Sequence, residues 1–286
     1  MGSSSRVPDP EILPPSGAEY NAPQVQARRQ PRWASSPATY FLVAVNCLVF
    51  LAMTMRHVSP ISPTTEQLYA WGANNAGAVL ILGQWEWLRI VTAMFVHVGI
   101  LHLATNMWCL WNLGLLAEPL MGSAGVLSVY LLTGAAGNLL STLWNWWSFH
   151  KDLAVYHSVF AFPVGAGASG AVFGIAGALI VLLKSPRLPV PPLELKKLRR
   201  SVIYFAAINL VLGLSISGGT HVFGAGINID NSAHLGGFTC GLLFAAPMVP
   251  RLGSPKPVFQ ARLGAAVALV VVALVLFAFF IVRFAG

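Results

Sequence analysis

Residues 165–174 read GAGASGAVFG and residues 232–237 read SAHLGG, and both stretches belong to apolar, glycine-containing runs. The first stretch contains Ser169 and the second contains His234, and neither contains an acidic residue. A polar side chain inside a membrane is costly and usually has a function. Because a serine needs a base to become a nucleophile and histidine is the commonest base, the pair predicts nucleophilic catalysis wherever the two side chains meet.

The composition indicates an integral membrane protein. Of the 286 residues, 56% are hydrophobic and 9% are charged, whereas a soluble domain has about 25% charged residues. The net charge of +8 does not predict nucleic-acid binding, because the basic residues cluster between apolar spans. The spacing of Cys47, Cys109 and Cys240 fits neither a disulfide framework nor a zinc site, so we expect no metal and no cofactor.

Seven apolar spans predict an all-α, polytopic membrane helix bundle. They lie near residues 38–55, 95–116, 123–143, 163–183, 202–217, 231–249 and 264–282. The proline-rich residues 1–37 predict a disordered tail. The first loop, residues 56–94, and the segment 144–162 are rich in tryptophan, so both are expected to lie in the membrane interface.

The distribution of basic residues predicts the orientation of the spans. Most of the 17 lysines and arginines fall in the tail and in the loops after the fourth and sixth spans. By the positive-inside rule, the N-terminus is expected in the cytoplasm and the C-terminus outside, as in a multi-pass protein of the cell membrane. The second, fourth and sixth spans would then all enter the membrane from the outer side.

Three helices that run in one direction are expected to bring their polar residues to one depth. His97, His102 and Asn106 open the second span. Ser169 is expected about two turns into the fourth span, and His234 about one turn into the sixth. With a rise of about 1.5 Å per residue, these side chains would share a layer near the outer surface.

Small residues are expected to let the fourth and sixth spans approach closely. Gly170 and Gly174 lie beside Ser169, and glycines at the same four-residue spacing follow His234. Such pairs allow helix backbones to touch in a membrane. Phe173 lies one turn below Ser169, where its ring is expected to stack on the imidazole of His234.

The catalytic unit that these residues predict is a Ser–His dyad. No carboxylate is available as a third member, since Glu118 lies at the inner end of the second span and Asp230 precedes His234 on the same helix. Attack on a carbonyl creates an oxyanion that needs hydrogen-bond donors at about 2.7–3.1 Å. The candidate donors are His102, Asn106 and the backbone N–H of Ser169.

Each of these residues also has a structural interpretation. A serine among glycines in a membrane helix is often a packing residue, and glycine pairs are the default contact of such helices. His97 is better explained as a structural residue, and the alternative role of Asn106 is a hydrogen bond to a neighbouring helix. The complete set of residues, at one depth on three parallel helices, favours a catalytic role over a purely structural one.

These residues resemble the rhomboid family of intramembrane serine proteases. The similarity rests on Gly167-Ala168-Ser169-Gly170, on His102 and Asn106, on Ala233-His234 with Gly237 and Gly241, and on His97, Glu86, Arg89 and residues 118–123. The resemblance implies a six-helix core over residues 38–250 around a water-filled cavity. It also implies a linker and a seventh transmembrane helix over residues 251–286.

The same resemblance implies roles for single residues. Ser169 would be the nucleophile, His234 the base, and His102 with Asn106 the oxyanion donors. Gly167 would form the catalytic turn, Phe173 would stack on the base, and His97 and Arg89 would support the site. The family's substrates are membrane-anchored proteins that are cut in or near a transmembrane segment. Leu88 precedes Arg89 where the family usually has tryptophan, so the packing of the first loop is expected to differ.

Two other functions stay open from the sequence. A non-catalytic rhomboid-like protein would bind transmembrane clients, although such proteins generally lack the serine or the histidine. A transporter or channel would also place polar groups in a cavity. The polar groups here lie near the outer face rather than the midplane, and no inverted repeat is visible.

If His234 is the base, cleavage should slow in acid, because a protonated imidazole cannot accept the serine proton. We expect the rate to fall below about pH 6.5, the ordinary pKa of a histidine. The measurement is the initial rate of cleavage of a transmembrane substrate in detergent across the pH range. A rate that stays flat well below that pH would contradict the assignment.

Overall fold

The computed structural model describes residues 36–185, 188, 191–216, 230–251 and 255–285. The predicted tail lies outside these residues, apart from its last two positions. The first helix, α1, spans Pro37–Met55 and begins at a proline, whose fixed φ suits the first helical turn. Large apolar side chains such as Phe41 and Leu48 are exposed on α1, as expected for a helix that contacts lipid.

Short elements fill the segment between α1 and the next long helix. They are α2 (Thr65–Ala70), the strand β1 (Asn74–Asn75), a π-helical turn (Ala78–Leu82), a 3₁₀ turn (Gln84–Leu88) and α3 (Arg89–Thr92). A capping box at Thr64 and Gln67 starts α2. Trp85 and Leu82 in this segment are exposed, which suits the expected place of the first loop at a membrane interface.

The helix α4 spans Ile100–Tyr156 and consists of two arms that meet at Gly122. The φ of Gly122 is 73°, a left-handed conformation that glycine adopts readily. The first arm covers residues 100–121 and the second arm covers residues 123–156. The second arm is longer than the predicted span, and residues 144–156 are helical rather than part of a loop. No glycine or proline interrupts residues 138–162, so nothing stops the helix at residue 143.

The rest of the described chain is mainly helical. It contains a 3₁₀ turn (Val159–Ala161), the strand β2 (Val164–Gly165), α5 (Ser169–Leu182), α6 (Pro192–Ile216), α7 (Asn231–Ala245), a 3₁₀ turn (Ala246–Arg251) and α8 (Lys256–Ala285). α6 and α8 begin earlier than the apolar spans predicted, because helix-forming charged residues extend them at their N-terminal ends. β1 and β2 form an antiparallel pair.

Within the residues that the structure describes, three helical segments are long and apolar enough to cross a membrane: Pro37–Met55, Ile100–Asp152 and Lys256–Ala285. Ser169–Leu182 is a shorter apolar helix. The prediction of an all-α, multi-pass membrane bundle is confirmed. α8 is apolar and mostly exposed, with Val272, Leu276 and Phe279 on its surface, as expected for a helix that faces lipid.

α5 lies at the centre of the bundle and packs against α4 and α7. Eleven of its 14 residues are buried. Its glycines make the close contacts possible: a Cβ at Gly170 would lie 3.3 Å from the carbonyl oxygen of Ala233. The core of the bundle therefore surrounds the helix that begins with Ser169.

A buried carboxylate joins α4 to the start of α1. Glu118, on the first arm of α4, is 3% exposed. It accepts hydrogen bonds from the backbone N–H groups of Ala38 and Thr39, each at 2.9 Å. It also accepts from the hydroxyls of Thr39 at 2.7 Å and Ser123 at 2.6 Å. The first N–H groups of a helix have no partner within the helix, so Glu118 caps α1.

We expect Glu118→Gln to lower the free energy of unfolding by about 2–4 kcal/mol, because an amide cannot accept all four hydrogen bonds. The apparent melting temperature of the purified protein in detergent measures the change. The matched control is Glu194→Gln on α6, which removes an exposed carboxylate paired with Lys197. This variant should change the melting temperature little, because an exposed ion pair contributes little to stability. Equal melting temperatures for the two variants would contradict the capping role.

Candidate active site

The structure brings the side chains of Ser169 and His234 into contact. Ser169 Oγ lies 2.8 Å from His234 Nε2. Ser169 is the first residue of α5, so the prediction that it lies about two turns into its helix is wrong. His234 is the fourth residue of α7, about one turn from the helix start, as predicted. The distance is that of a hydrogen bond between a nucleophile and its base.

A tight turn at Gly167 sets the start of α5. The φ of Gly167 is 130°, which disfavours any side chain there. A Cβ at this position would lie 2.6 Å from Cε1 of His102. The N–H of Gly167 donates to the carbonyl oxygen of Ala93 at 2.9 Å. α5 therefore cannot extend toward residue 163, and Ser169 stands at the helix end beside His102.

An aromatic ring fixes the plane of the His234 imidazole. Phe173 stacks on it, with the ring centroids 4.3 Å apart and the planes at 11°. His234 is 7% exposed. Its Nδ1 atom is buried, and no described residue forms a hydrogen bond with it. Within the described residues no carboxylate is therefore bonded to the imidazole, and the catalytic dyad stays a prediction.

Two of the three predicted oxyanion donors, His102 and Asn106, lie on the first arm of α4. The Nδ1 atom of His102 lies 3.4 Å from the backbone N of Val98. The side-chain amide of Asn106 donates to the carbonyl oxygen of His102 at 2.9 Å. His102 thus lies against the turn that carries Ser169, and Asn106 lies one helical turn further along. Their role in binding an oxyanion stays a prediction.

His97 lies before α4 rather than within it and is fully buried. Its Nδ1 atom lies 3.3 Å from the carbonyl oxygen of Phe95. Its Nε2 atom accepts a hydrogen bond from the N–H of Ala168 at 3.5 Å. The imidazole therefore connects the segment before α4 to the residue before Ser169, which suits the structural role that the sequence favoured.

Arg89 organises the first loop. Its guanidinium donates to the carbonyl oxygens of Tyr69, at 2.6 Å, and Ala73, at 3.0 Å. It pairs with Glu86 and lies over the ring of Tyr69, 3.7 Å from the centroid. β1 begins at Asn74, directly after this cluster, and pairs with Gly165 just before the turn at Gly167. Arg89 therefore supports the strand pair that precedes Ser169.

The second arm of α4 has a polar face that was not predicted from the sequence. Asn138 donates to the carbonyl oxygen of Ile90 at 2.9 Å. Thr142, one turn later, lies 3.2 Å from the amide nitrogen of Asn74. Ser141 donates to the carboxylate of Asp230. Polar residues spaced by four positions in an apolar span were the available signal.

A small cavity lies beside Ser169. Its lining includes Gly167, Asn138, Met94 and the carboxylate-bearing Asp230. A cavity with these polar groups can hold water. The described residues contain no cluster of three or more histidine, cysteine or acidic side chains that could hold a metal ion.

Comparison with known proteins gives a family match over a range that contains Ser169 and His234. Residues 84–251 match the Rhomboid family, described as the Rhomboid domain. The chain is similar to the rhomboid protease GluP of Bacillus subtilis, with 34% identity over 236 residues, which are 82% of this chain and 39% of GluP. It is 27% identical to the rhomboid protease AarA of Providencia stuartii over 209 residues, 72% of this chain and 70% of AarA.

A plant protein extends the comparison. RHOMBOID-like protein 1 of Arabidopsis thaliana is 28% identical over 196 residues, 68% of this chain and 42% of that protein. The chain thus spans less than half the length of GluP and of the plant protein. Because the Rhomboid match covers more than half of its residues, this chain belongs to the rhomboid family.

Proposed function

We propose that this protein is an intramembrane serine endopeptidase in which Ser169 is the nucleophile and His234 the general base. The observation that carries the proposal is the 2.8 Å contact between Ser169 Oγ and His234 Nε2. The relatives GluP and AarA are named as rhomboid proteases, which supports this class of activity. The substrates are membrane-anchored proteins, cut in or near a transmembrane segment.

The reaction begins with transfer of the Ser169 proton to His234 Nε2 as Oγ attacks the carbonyl carbon of the scissile peptide bond. The carbonyl oxygen becomes an oxyanion. The N-terminus of α5 favours negative charge, because the first N–H groups of a helix have no partner within it. Ser169 N–H lies at this helix end, and His102 and Asn106 are the side-chain donors that we assign to the oxyanion.

The intermediate then collapses as the carbon–nitrogen bond breaks. His234 returns its proton to the leaving amine, and an acyl-enzyme on Ser169 results. Water next attacks the ester, and His234 again acts as the base. Phe173 keeps the imidazole in one plane throughout, so that Nε2 faces Oγ in both steps.

The arrangement of the chain around this site follows from the orientation that the basic residues predict. We propose that residues 38–250 form the catalytic core and that residues 251–286 carry a linker and the additional C-terminal helix. The N-terminus lies in the cytoplasm, and the site opens on the other side of the cell membrane. A substrate helix must unwind near its outer end to expose a carbonyl group, so helix-breaking residues there favour cleavage.

We expect Ser169→Ala and His234→Ala each to lower the cleavage rate by about 10³-fold or more, because the proton transfer and the covalent step are both lost. The assay is cleavage of a purified transmembrane substrate in proteoliposomes, together with covalent labelling by a fluorophosphonate. Ser201→Ala on α6 is the matched control, since this exposed serine bonds only its own helix, at Lys197.

Unchanged cleavage in Ser169→Ala would contradict the proposal. Client capture without turnover, equal in the wild type and both alanine variants, would instead assign the chain to the non-catalytic, client-binding members of the family. Full labelling of Ser201→Ala and none of Ser169→Ala would locate the nucleophile at Ser169.

We expect Gly167→Ala to lower kcat by about 100-fold, because the added Cβ would displace His102 and shift Ser169 by a fraction of an ångström or more. Gly264→Ala on α8 is the matched control, since no atom lies within 4 Å of its Cβ position. Cleavage rate and melting temperature are measured for both. A Gly167→Ala variant with the activity of Gly264→Ala would contradict the role of the turn.

A further inference from the structure

Asp230 stands at the N-terminus of α7 and links it to the second arm of α4. Its Oδ1 accepts a hydrogen bond from the N–H of Ala233 at 3.0 Å, and this bond caps the helix. Oδ1 also accepts from the hydroxyl of Ser232. Oδ2 accepts from the hydroxyl of Ser141, on α4. Three donors from two helices therefore hold this carboxylate in one place.

The carboxylate of Asp230 lies where its surroundings favour negative charge. All three of its hydrogen-bond partners donate, and the N-terminus of a helix favours a negative charge. The ion pairs among the described residues are Arg89 with Glu86 and Lys197 with Glu194, so no described cation neutralises Asp230. The carboxylate also lines the small cavity beside Ser169. Its charge is therefore free to act on groups that surround this cavity.

His234 follows Asp230 by one helical turn, and its N–H donates to the carbonyl oxygen of Asp230 at 3.2 Å. The described contacts with the imidazole come from α5, through the uncharged Ser169 and Phe173. α4, which carries His102, also packs against α7. Among the described residues, the ionisable groups that act on His234 through their charge are Asp230 and His102. Asp230 is the only anion of the two.

We propose that Asp230 is a positioning residue that stabilises the imidazolium of His234 through its negative charge. The inference rests on the proposed function and deepens it. During attack, the Ser169 proton moves to His234 Nε2 while the bond from Oγ to the carbonyl carbon forms, and the carbonyl electron pair becomes the oxyanion. No proton moves to Asp230, so the positive charge forms one helical turn away from a negatively charged side chain.

This arrangement differs from the acid of a catalytic triad. A triad acid bonds Nδ1 of the histidine and orients the ring. Here no described residue bonds Nδ1 of His234, and Phe173 orients the ring. Asp230 would therefore contribute charge without contact with the imidazole. Ser141, 89 residues away in sequence, keeps that charge at a constant distance.

Asp230→Asn removes the charge and keeps the cap, because asparagine caps helices as well as aspartate does. Its amide group replaces the acceptor Oδ2 with a donor, so the hydrogen bond from Ser141 is lost as well. We expect kcat/KM at neutral pH to fall about tenfold, which corresponds to about 1.4 kcal/mol. We also expect the acidic limb of the pH–rate profile to move to lower pH by about one unit, because an imidazolium without a nearby anion forms less readily. The melting temperature should fall no further than in Ser141→Ala, which loses the same hydrogen bond.

Three further variants separate the effect of the Asp230 charge on the rate from its effect on stability. Glu194→Gln removes an exposed carboxylate on α6 and should give a wild-type profile. Ser141→Ala removes a tether but keeps the charge, so the melting temperature should fall while the acidic limb stays in place. Asp230→Ala removes both the charge and the cap, so it should both move the limb and lower the melting temperature.

A second measurement does not depend on turnover. Titration of the ¹³C-labelled histidine rings by NMR, with His234→Ala for assignment, should show the His234 midpoint at lower pH in Asp230→Asn than in the wild type. An unchanged midpoint and an unchanged acidic limb would overturn the inference, even if Asp230→Asn cleaves slowly. If the wild type neither cleaves nor labels at Ser169, the proposed function fails, and the NMR titration still decides whether Asp230 acts on His234.

Discussion

α5 and α7 approach each other closely because glycines stand at their contact. A Cβ at Gly237 would overlap the backbone of Gly170, and a Cβ at Gly241 would overlap the backbone of Gly174. Helix association in a membrane depends on such van der Waals contact, since lipid is as apolar as the side chains it would replace. The short distance between Ser169 and His234 follows from this contact, because both residues lie in the first turns of the two helices.

The position of Ser169 also depends on polar side chains that support irregular backbone. Non-helical backbone at membrane depth must have its polar groups satisfied by protein or by cavity water. Arg89 bonds carbonyl groups before β1, and Asn138 bonds the carbonyl group of Ile90. β1 pairs with β2, and the turn at Gly167 follows directly. Apolar packing therefore brings the helices together, while hydrogen bonds set the turn from which α5 starts.

Under the proposed function, the surroundings of His234 allow catalysis without a triad acid. In a triad, one carboxylate both orients the imidazole and balances its charge. In this protein the stacked ring of Phe173 orients the imidazole. Under our proposal, Asp230 balances the charge of the imidazolium. A carboxylate bonded by three donors at a helix N-terminus is easier to accommodate in an apolar bundle than one buried directly against an imidazole.

Much of this architecture was predictable from the sequence. The low charge content and the apolar spans predicted a multi-pass helical membrane protein, because a bilayer admits few other structures. A serine and a histidine in apolar, glycine-rich segments predicted the contact of Ser169 with His234, and Phe173 at one turn from Ser169 predicted the ring stack. These predictions rely on the spacing of residues and on the cost of polar groups in lipid. Both follow from the order of the residues along the chain.

The tertiary structure alone decided where α5 begins and which distant polar groups support the site and cap the helices. α5 starts at Ser169 because the positive φ of Gly167 and the ring of His102 close the turn before it. Glu118 caps α1 across 80 residues, and Ser141 bonds Asp230 across 89. Hydropathy and helical periodicity describe neighbours along the chain, whereas a hydrogen-bond partner from another helix is specified only when the whole bundle has packed.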